Sequence, residues 1–137
     1  MSIKNLLSFQ RRFKKRVVDN PEHNAERLIA KAAMMVQGRI VDSIQRDPKT
    51  GRVYGDHQAS APGQPPATDK GQLVRSITMS VEGTDGEVVG VIRASAPYAA
   101  ALEFGTTKIA PRPYMQPGLE SQRRKIEDMF KKGGLIK

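Results

Sequence analysis

Ser76-Ile77-Thr78-Met79-Ser80-Val81-Glu82-Gly83-Thr84-Asp85-Gly86-Glu87-Val88-Val89-Gly90-Val91-Ile92-Arg93-Ala94 is the stretch that decides the fold. Ile77, Met79 and Val81 alternate with Ser76, Thr78, Ser80 and Glu82, the period of a half-buried strand. Gly83-Thr84-Asp85-Gly86 supplies turn residues, and Glu87 to Ala94 forms the returning strand, so 76–94 reads as a β-hairpin. Helical periodicity flanks it. Upstream, Leu28, Ala32, Val36, Ile40 and Ile44 recur every four residues, with Ile29, Ala33 and Val41 widening the stripe. This predicts the longest helix, over about 21–46, with Asn20 as N-cap, Pro21 at its first position and Glu22 in its first turn, ending before Pro48. Downstream, Leu119, Ile126, Met129 and Phe130 share one side of a helix over 117–132 that starts near Pro117 and stops at Gly133-Gly134. The expectation is one α+β domain over 1–137, with long N-terminal helices and a C-terminal helix packed on a small antiparallel β-sheet.

Between these elements the signals are local. Ser2 is a candidate N-cap, and Ile3, Leu6, Leu7, Phe13 and Val17 fall at helical spacing, so 1–18 reads as a basic N-terminal helix broken at Asp19-Asn20-Pro21. From 47 to 71, Gly51, Gly55, Pro62, Gly63, Pro65, Pro66 and Gly71 punctuate an extended loop. A loop this long in a small domain is usually functional or ordered by a partner. At its end Asp69 and Gln72 have the spacing of a capping box. Pro97 starts a short helix expected to bury Tyr98 and Leu102 and to stop at Gly105. A second loop follows, Gly105 to Pro113.

The chain has 137 residues, 23 Lys plus Arg against 14 Asp plus Glu, a formal charge of +9, and no Cys or Trp. The length suits one domain with a modest core. Hydrophobic residues make up 38% and aromatics 5%, so the core is lean and gains from neighbours. Disulfides and thiolate chemistry are excluded, and no apolar run approaches the roughly 18 residues of a membrane-spanning helix. The N-terminus has no secretory pattern, and a protein made inside the cell is expected. Residues 1–18 carry Lys4, Arg11, Arg12, Lys14, Lys15 and Arg16 and no acid, and 119–137 carry six cations against three acids. The intervening stretch has eleven of each sign, so the whole excess sits at the two ends. Both ends then face a polyanion or acidic partner, or are the solvated sides of two amphipathic helices.

Catalytic chemistry is thinly supplied, and no enzyme is expected. His23 and His57 stand at no metal-ligand spacing, and no phosphate-cradling glycine motif is present, so neither metal nor cofactor is expected. Glu103, flanked by Ala101, Leu102, Phe104 and Gly105, reads as a partly buried anchor that accepts backbone amides or pairs with Arg112. A small toxin-type nuclease using His57 or Glu103 lacks the surrounding cluster of His, Arg and Tyr. Sequence-independent nucleic-acid binding through the basic ends is the main alternative, although the hairpin strands carry no stacking aromatics.

Two segments are more distinctive: Ala59-Ser60-Ala61-Pro62-Gly63-Gln64-Pro65-Pro66 running on to Gly71-Gln72-Leu73-Val74-Arg75-Ser76-Ile77, and Tyr98-Ala99-Ala100-Ala101-Leu102-Glu103-Phe104-Gly105-Thr106 running on to Arg112-Pro113-Tyr114-Met115-Gln116-Pro117. In order they resemble the gene-ten product family of HK-type long-tailed phages, the neck or tail-completion proteins, over about 59–119. The first fifty residues resemble it only in being helical, and Gly118 stands where the family tends to have alanine, weakening the first turn of the last helix. The resemblance implies a structural virion protein of the neck, made in the host cytoplasm. It would form a ring of identical subunits between the head-closure or adaptor protein and the tail terminator or tail tube, with DNA in the lumen and no membrane contact. Pro62, Gly63, Pro65, Pro66, Tyr98, Glu103, Phe104, Gly105, Thr106, Arg112, Pro113 and Tyr114 are then the expected subunit or partner interface, with Tyr98 and Phe104 anchoring the short helix. Arg11, Arg12, Lys14, Lys15, Arg16, Lys131 and Lys132 are the expected contacts to DNA or an acidic ring.

Overall fold

The computed structural model describes residues 9–16, 22–67, 71–84 and 87–136, the first segment by its backbone. In chain order the elements are β1 (Phe9–Arg16), α1 (Glu22–Gln45), β2 (Val53–Tyr54), β3 (His57–Gln58), α2 (Gln72–Ser76), β4 (Ile77–Thr84), β5 (Glu87–Ala94), α3 (Ala99–Phe104) and α4 (Met115–Lys132). An antiparallel sheet of order β1-β5-β4 carries α1 on one face, and α4 packs on α1, which is an α+β fold. The hairpin register runs from Ile77 opposite Ala94 to Thr84 opposite Glu87.

The predicted stripe of α1 is the core. Leu28, Ile29, Ala32, Ala33, Val36, Ile40 and Ile44 are all buried and meet Ile77, Val88, Ile92 and Ala94 of the sheet and Met115, Leu119, Ile126 and Phe130 of α4. Each large apolar side chain so buried contributes on the order of 1.5–3 kcal/mol. Glycine sets how near the layers come. A Cβ on Gly118 would stand 2.3 Å from Ile40 Cγ1, so its glycine is what lets α4 close on α1, rather than a flaw in the first turn of α4. The C-terminus of α1 is closed by side chains: Lys49 Nζ donates to Ser43 O at 2.7 Å and Asp47 O at 2.9 Å, and Arg39 forks onto Asp47 at 3.2 and 2.9 Å. Burial pushes the Lys49 ammonium below its ordinary value, with Asp47 pulling it back up and Arg39 adding to the fall.

Residues 9–16 are a strand where the spacing predicts a helix. β1 pairs antiparallel with the free edge of β5, Phe9 opposite Ala94 and Phe13 opposite Gly90. Phe9 and Phe13 are four apart, a same-face spacing for helix and strand alike, so the periodicity could not choose. An unpaired edge on β5 decides it, because alternate residues along the eight-residue strand gain backbone partners there. The expected cap at Ser2, the apolar residues Ile3, Leu6, Leu7 and Val17, the breaker at Asp19-Asn20-Pro21, the cap at Asp69 and the turn at Asp85-Gly86 lie outside the described residues. The 47–71 loop contains a short hairpin, β2 with β3, tightened by Gly51 N–H to Ala59 O and Ala59 N–H to Arg52 O, both 2.9 Å.

Candidate assembly interface

Two loops and a short helix form one platform. Within the first loop Gln64 acts as a strut: its Oε1 accepts from Thr50 N–H at 3.0 Å and Ala61 N–H at 2.8 Å, while Nε2 donates to Thr50 Oγ1 at 2.9 Å. Gly63, with φ of 85°, donates its N–H to Pro111 O at 3.0 Å and ties the first loop to the second. Within the second loop Thr106 Oγ1 accepts from Lys108 and Ile109 N–H, both at 3.1 Å, and Thr106 N–H donates to Ile109 O at 2.8 Å. Gly105 ends α3 at φ 75°, and a Cβ there would stand 2.9 Å from Ile109 O and Pro111, so both conformation and space require glycine.

Glu103 is the fastening. It is 6% exposed, and its Oε1 accepts from the N–H groups of Tyr114 at 3.1 Å and Met115 at 2.7 Å, its Oε2 from Gln116 N–H at 3.4 Å. A carboxylate from α3 therefore serves as the N-cap of α4, whose first residues bring no capping side chain of their own. This places the start of α4 at Met115 rather than near Pro117, and it fulfils the amide-accepting expectation for Glu103. Tyr114, fully buried, donates its hydroxyl to Ala99 O at 2.9 Å. Burial, then the Glu103 carboxylate, then Tyr98, push its phenol well above the ordinary value.

Tyr98 and Phe104 are not anchors: they are 39% and 63% exposed, and Ile109 beside them is 40% exposed. Leu102 is half-buried, and the work of holding α3 falls to Ala99, Glu103 and Tyr114. Beside Tyr98 lies an open cavity of about 370 Å³ walled by Pro66, Leu73, Leu102, His57 and Arg112 among others, and Tyr98 Oη donates to Gln72 Oε1, both in its lining, at 3.3 Å. Arg112 does not pair with Glu103. Its main-chain N–H donates to Leu102 O at 2.7 Å, and its Nε is buried with no hydrogen-bond partner among the described residues. Pro62, Gly63 and Thr106 are exposed, Pro65 and Pro113 half-buried. Of the expected interface residues, then, Pro66, Glu103 and Tyr114 are buried, and the last two support the platform from beneath.

Of the cationic residues, Lys131 and Lys132 are exposed in the last turn of α4. Arg11, Arg12, Lys14, Lys15 and Arg16 sit on β1, whose backbone borders α4. His23 falls in the first turn of α1. Among the described residues no group of three or more His, Asp and Glu could hold a metal ion, and no helix is long and apolar enough to cross a membrane.

A family model described as "Bacteriophage HK97-gp10, putative tail-component" matches residues 8–105, more than half of the chain. The chain belongs to this family. Membership makes it a structural component of the phage tail and places it in the virion. The match to the HK97-gp10-like family begins at β1 and α1, well upstream of the motifs at 59–119, and ends with α3 at Gly105. No curated protein and no solved structure matches the chain.

Proposed function

We propose that this HK97-gp10-like protein is a neck or tail-completion subunit, forming a ring of identical copies between the head-closure or adaptor protein and the tail terminator or tail tube, with DNA passing through. The observation that carries this reading is the braced platform that exposes Tyr98 and Phe104 at the two ends of α3 and Ile109 on the loop after it. Large apolar side chains held out by a stiff scaffold lose little entropy when a neighbour covers them. A contact between unlike faces of identical copies closes into a ring, and a lean core gains from it. The basic segments on β1 and at the end of α4 suit the side turned to DNA or to an acidic ring. The chain does this without turning over a substrate.

Native mass measurement of the purified chain, alone and with head-closure and tail-tube proteins, tests the reading. A closed oligomer, or capture into one by either partner, is the expected result, and Phe104→Ser should weaken it. A chain that stays monomeric with both partners present overturns it. Tight duplex binding by the monomer in that case would leave the nucleic-acid module as the better account.

A further inference from the structure

We propose that the cavity beside Tyr98 receives a single carboxylate from an acidic segment of a different virion protein, with Arg112 as the cation that binds it. The proposal deepens the assembly reading and rests on it. Arg39, Arg46 and Arg123 pair with Asp47, Asp42 and Glu120, whereas no ion pair among the described residues includes Arg112. The neighbouring acid in the fold, Glu103, is occupied by three amides. Arg112 Nε, part of a permanently charged group, is withdrawn from water with no acceptor for its N–H among the described residues, and such a site is incomplete as it stands.

The backbone of Arg112 is pinned to Leu102 O, the adjacent Pro111 O is tied to Gly63, and the residue forms part of the cavity wall. A guanidinium fork selects planar two-oxygen acceptors, carboxylate above all, or phosphate. The surroundings favour carboxylate. Leu73, Leu102 and Pro66 give apolar walls for the stem of an acidic side chain, and the volume of about 370 Å³ is at the small end for a ligand site. A duplex is bound by arrays of cations on an open surface, not by one guanidinium in a recess. Among the described residues that line the cavity Arg112 is the one Lys, Arg, Asp or Glu, so charge complementarity calls for an acidic segment of a partner protein.

The test uses the ¹⁵N-labelled full chain and a blocked synthetic peptide of alternating leucine and glutamate, with its leucine–glutamine counterpart as control. The glutamate peptide should shift the Arg112 Nε–H resonance and bind at least about tenfold tighter than the glutamine peptide. Arg112→Gln should abolish that difference while leaving the amide spectrum and melting temperature unchanged, and Arg112→Lys should restore part of it. Equal binding of both peptides, an unmoved Nε–H signal, or a stronger shift with inorganic phosphate overturns the proposal. So does Asp69→Asn moving the Nε–H signal in the free chain, which would make the acceptor internal. Loss of self-association in peptide-free Arg112→Gln would make the donor a second copy and overturn the partner assigned here. A chain of unchanged oligomeric mass with a cavity blind to both peptides defeats this proposal alone, and a monomer that still prefers the glutamate peptide defeats the ring alone.

Discussion

Glu103 joins two helices through its charge, because a carboxylate is the only side chain that can accept from three successive helix N–H groups with both oxygens. Glu103→Ala leaves those amides buried without partners and should lower stability by about 1–3 kcal/mol. Glu103→Gln keeps one acceptor oxygen and should cost clearly less, both read as urea midpoints at unchanged slope. Gly118 sets helix propensity against packing. Alanine there gains about 1 kcal/mol of helix propensity but meets Ile40 Cγ1 at 2.3 Å, and overpacking of this kind costs about 1–3 kcal/mol. The expected net effect of Gly118→Ala is a lower melting temperature; a higher one would mean that α1 and α4 can part at no cost. Tyr114 is a third case. Its phenol is raised in the fold, so the protonated form is favoured there and its contribution is intact below the ordinary phenol value. As pH rises past about 10, the unfolded chain releases the proton first and stability falls by up to about 1.4 kcal/mol per unit. Chemical denaturation across that range should show the fall, and Tyr114→Phe should flatten it at a lower stability that reflects the missing bond to Ala99 O.

At the scale of elements, β1 makes the sharpest prediction. With β1 on one side and β4 on the other, the β5 amides are protected along both edges. In an antiparallel ladder alternate N–H groups point to opposite neighbours. A chain that begins at Glu22 should therefore exchange every second amide between Val88 and Arg93 much faster, leaving the ones between bonded to β4. Uniform acceleration, or none, would be incompatible with the β1–β5 register. The same contrast explains what could be read in advance. The hairpin at 76–94 and the helix stripe from Leu28 to Ile44 were legible because each repeats its own period many times. Residues 9–16 were not, because Phe9 and Phe13 satisfy both periods and the deciding partner lies far along the chain at β5. Glu103 shows the same division within one residue. Its burial was legible from Leu102 and Phe104 on either side, but the helix that it caps begins beyond a loop whose path no local rule supplies. The cavity was invisible for that reason, since its walls come from the loop before α2, from α2 itself, from Tyr98 and α3, and from the loop before α4.

For the whole molecule the question is which side the charge excess faces. The fold brings the backbone of β1 beside α4, so segments from opposite ends of the sequence that carry the excess border one another. Exposed Lys131 and Lys132 are also favourably placed at the negative end of the α4 dipole, so replacing them with acids would confound binding with stability. Lys131→Gln with Lys132→Gln removes the charge with a smaller effect on the helix. If this side lines a DNA passage, the logarithm of duplex affinity should fall linearly with the logarithm of salt concentration. The double variant should then reduce that slope by about two, one for each phosphate that a lysine no longer neutralises, with little dependence on DNA sequence. Arg52→Gln, on the exposed β2–β3 side of the long loop, serves as the control and should leave the slope unchanged. Fluorescence anisotropy with a short duplex over a salt series measures both. Equal slopes for the parent chain and the double variant would remove the end of α4 from the DNA path, and an acidic neighbouring ring would then be what this side meets.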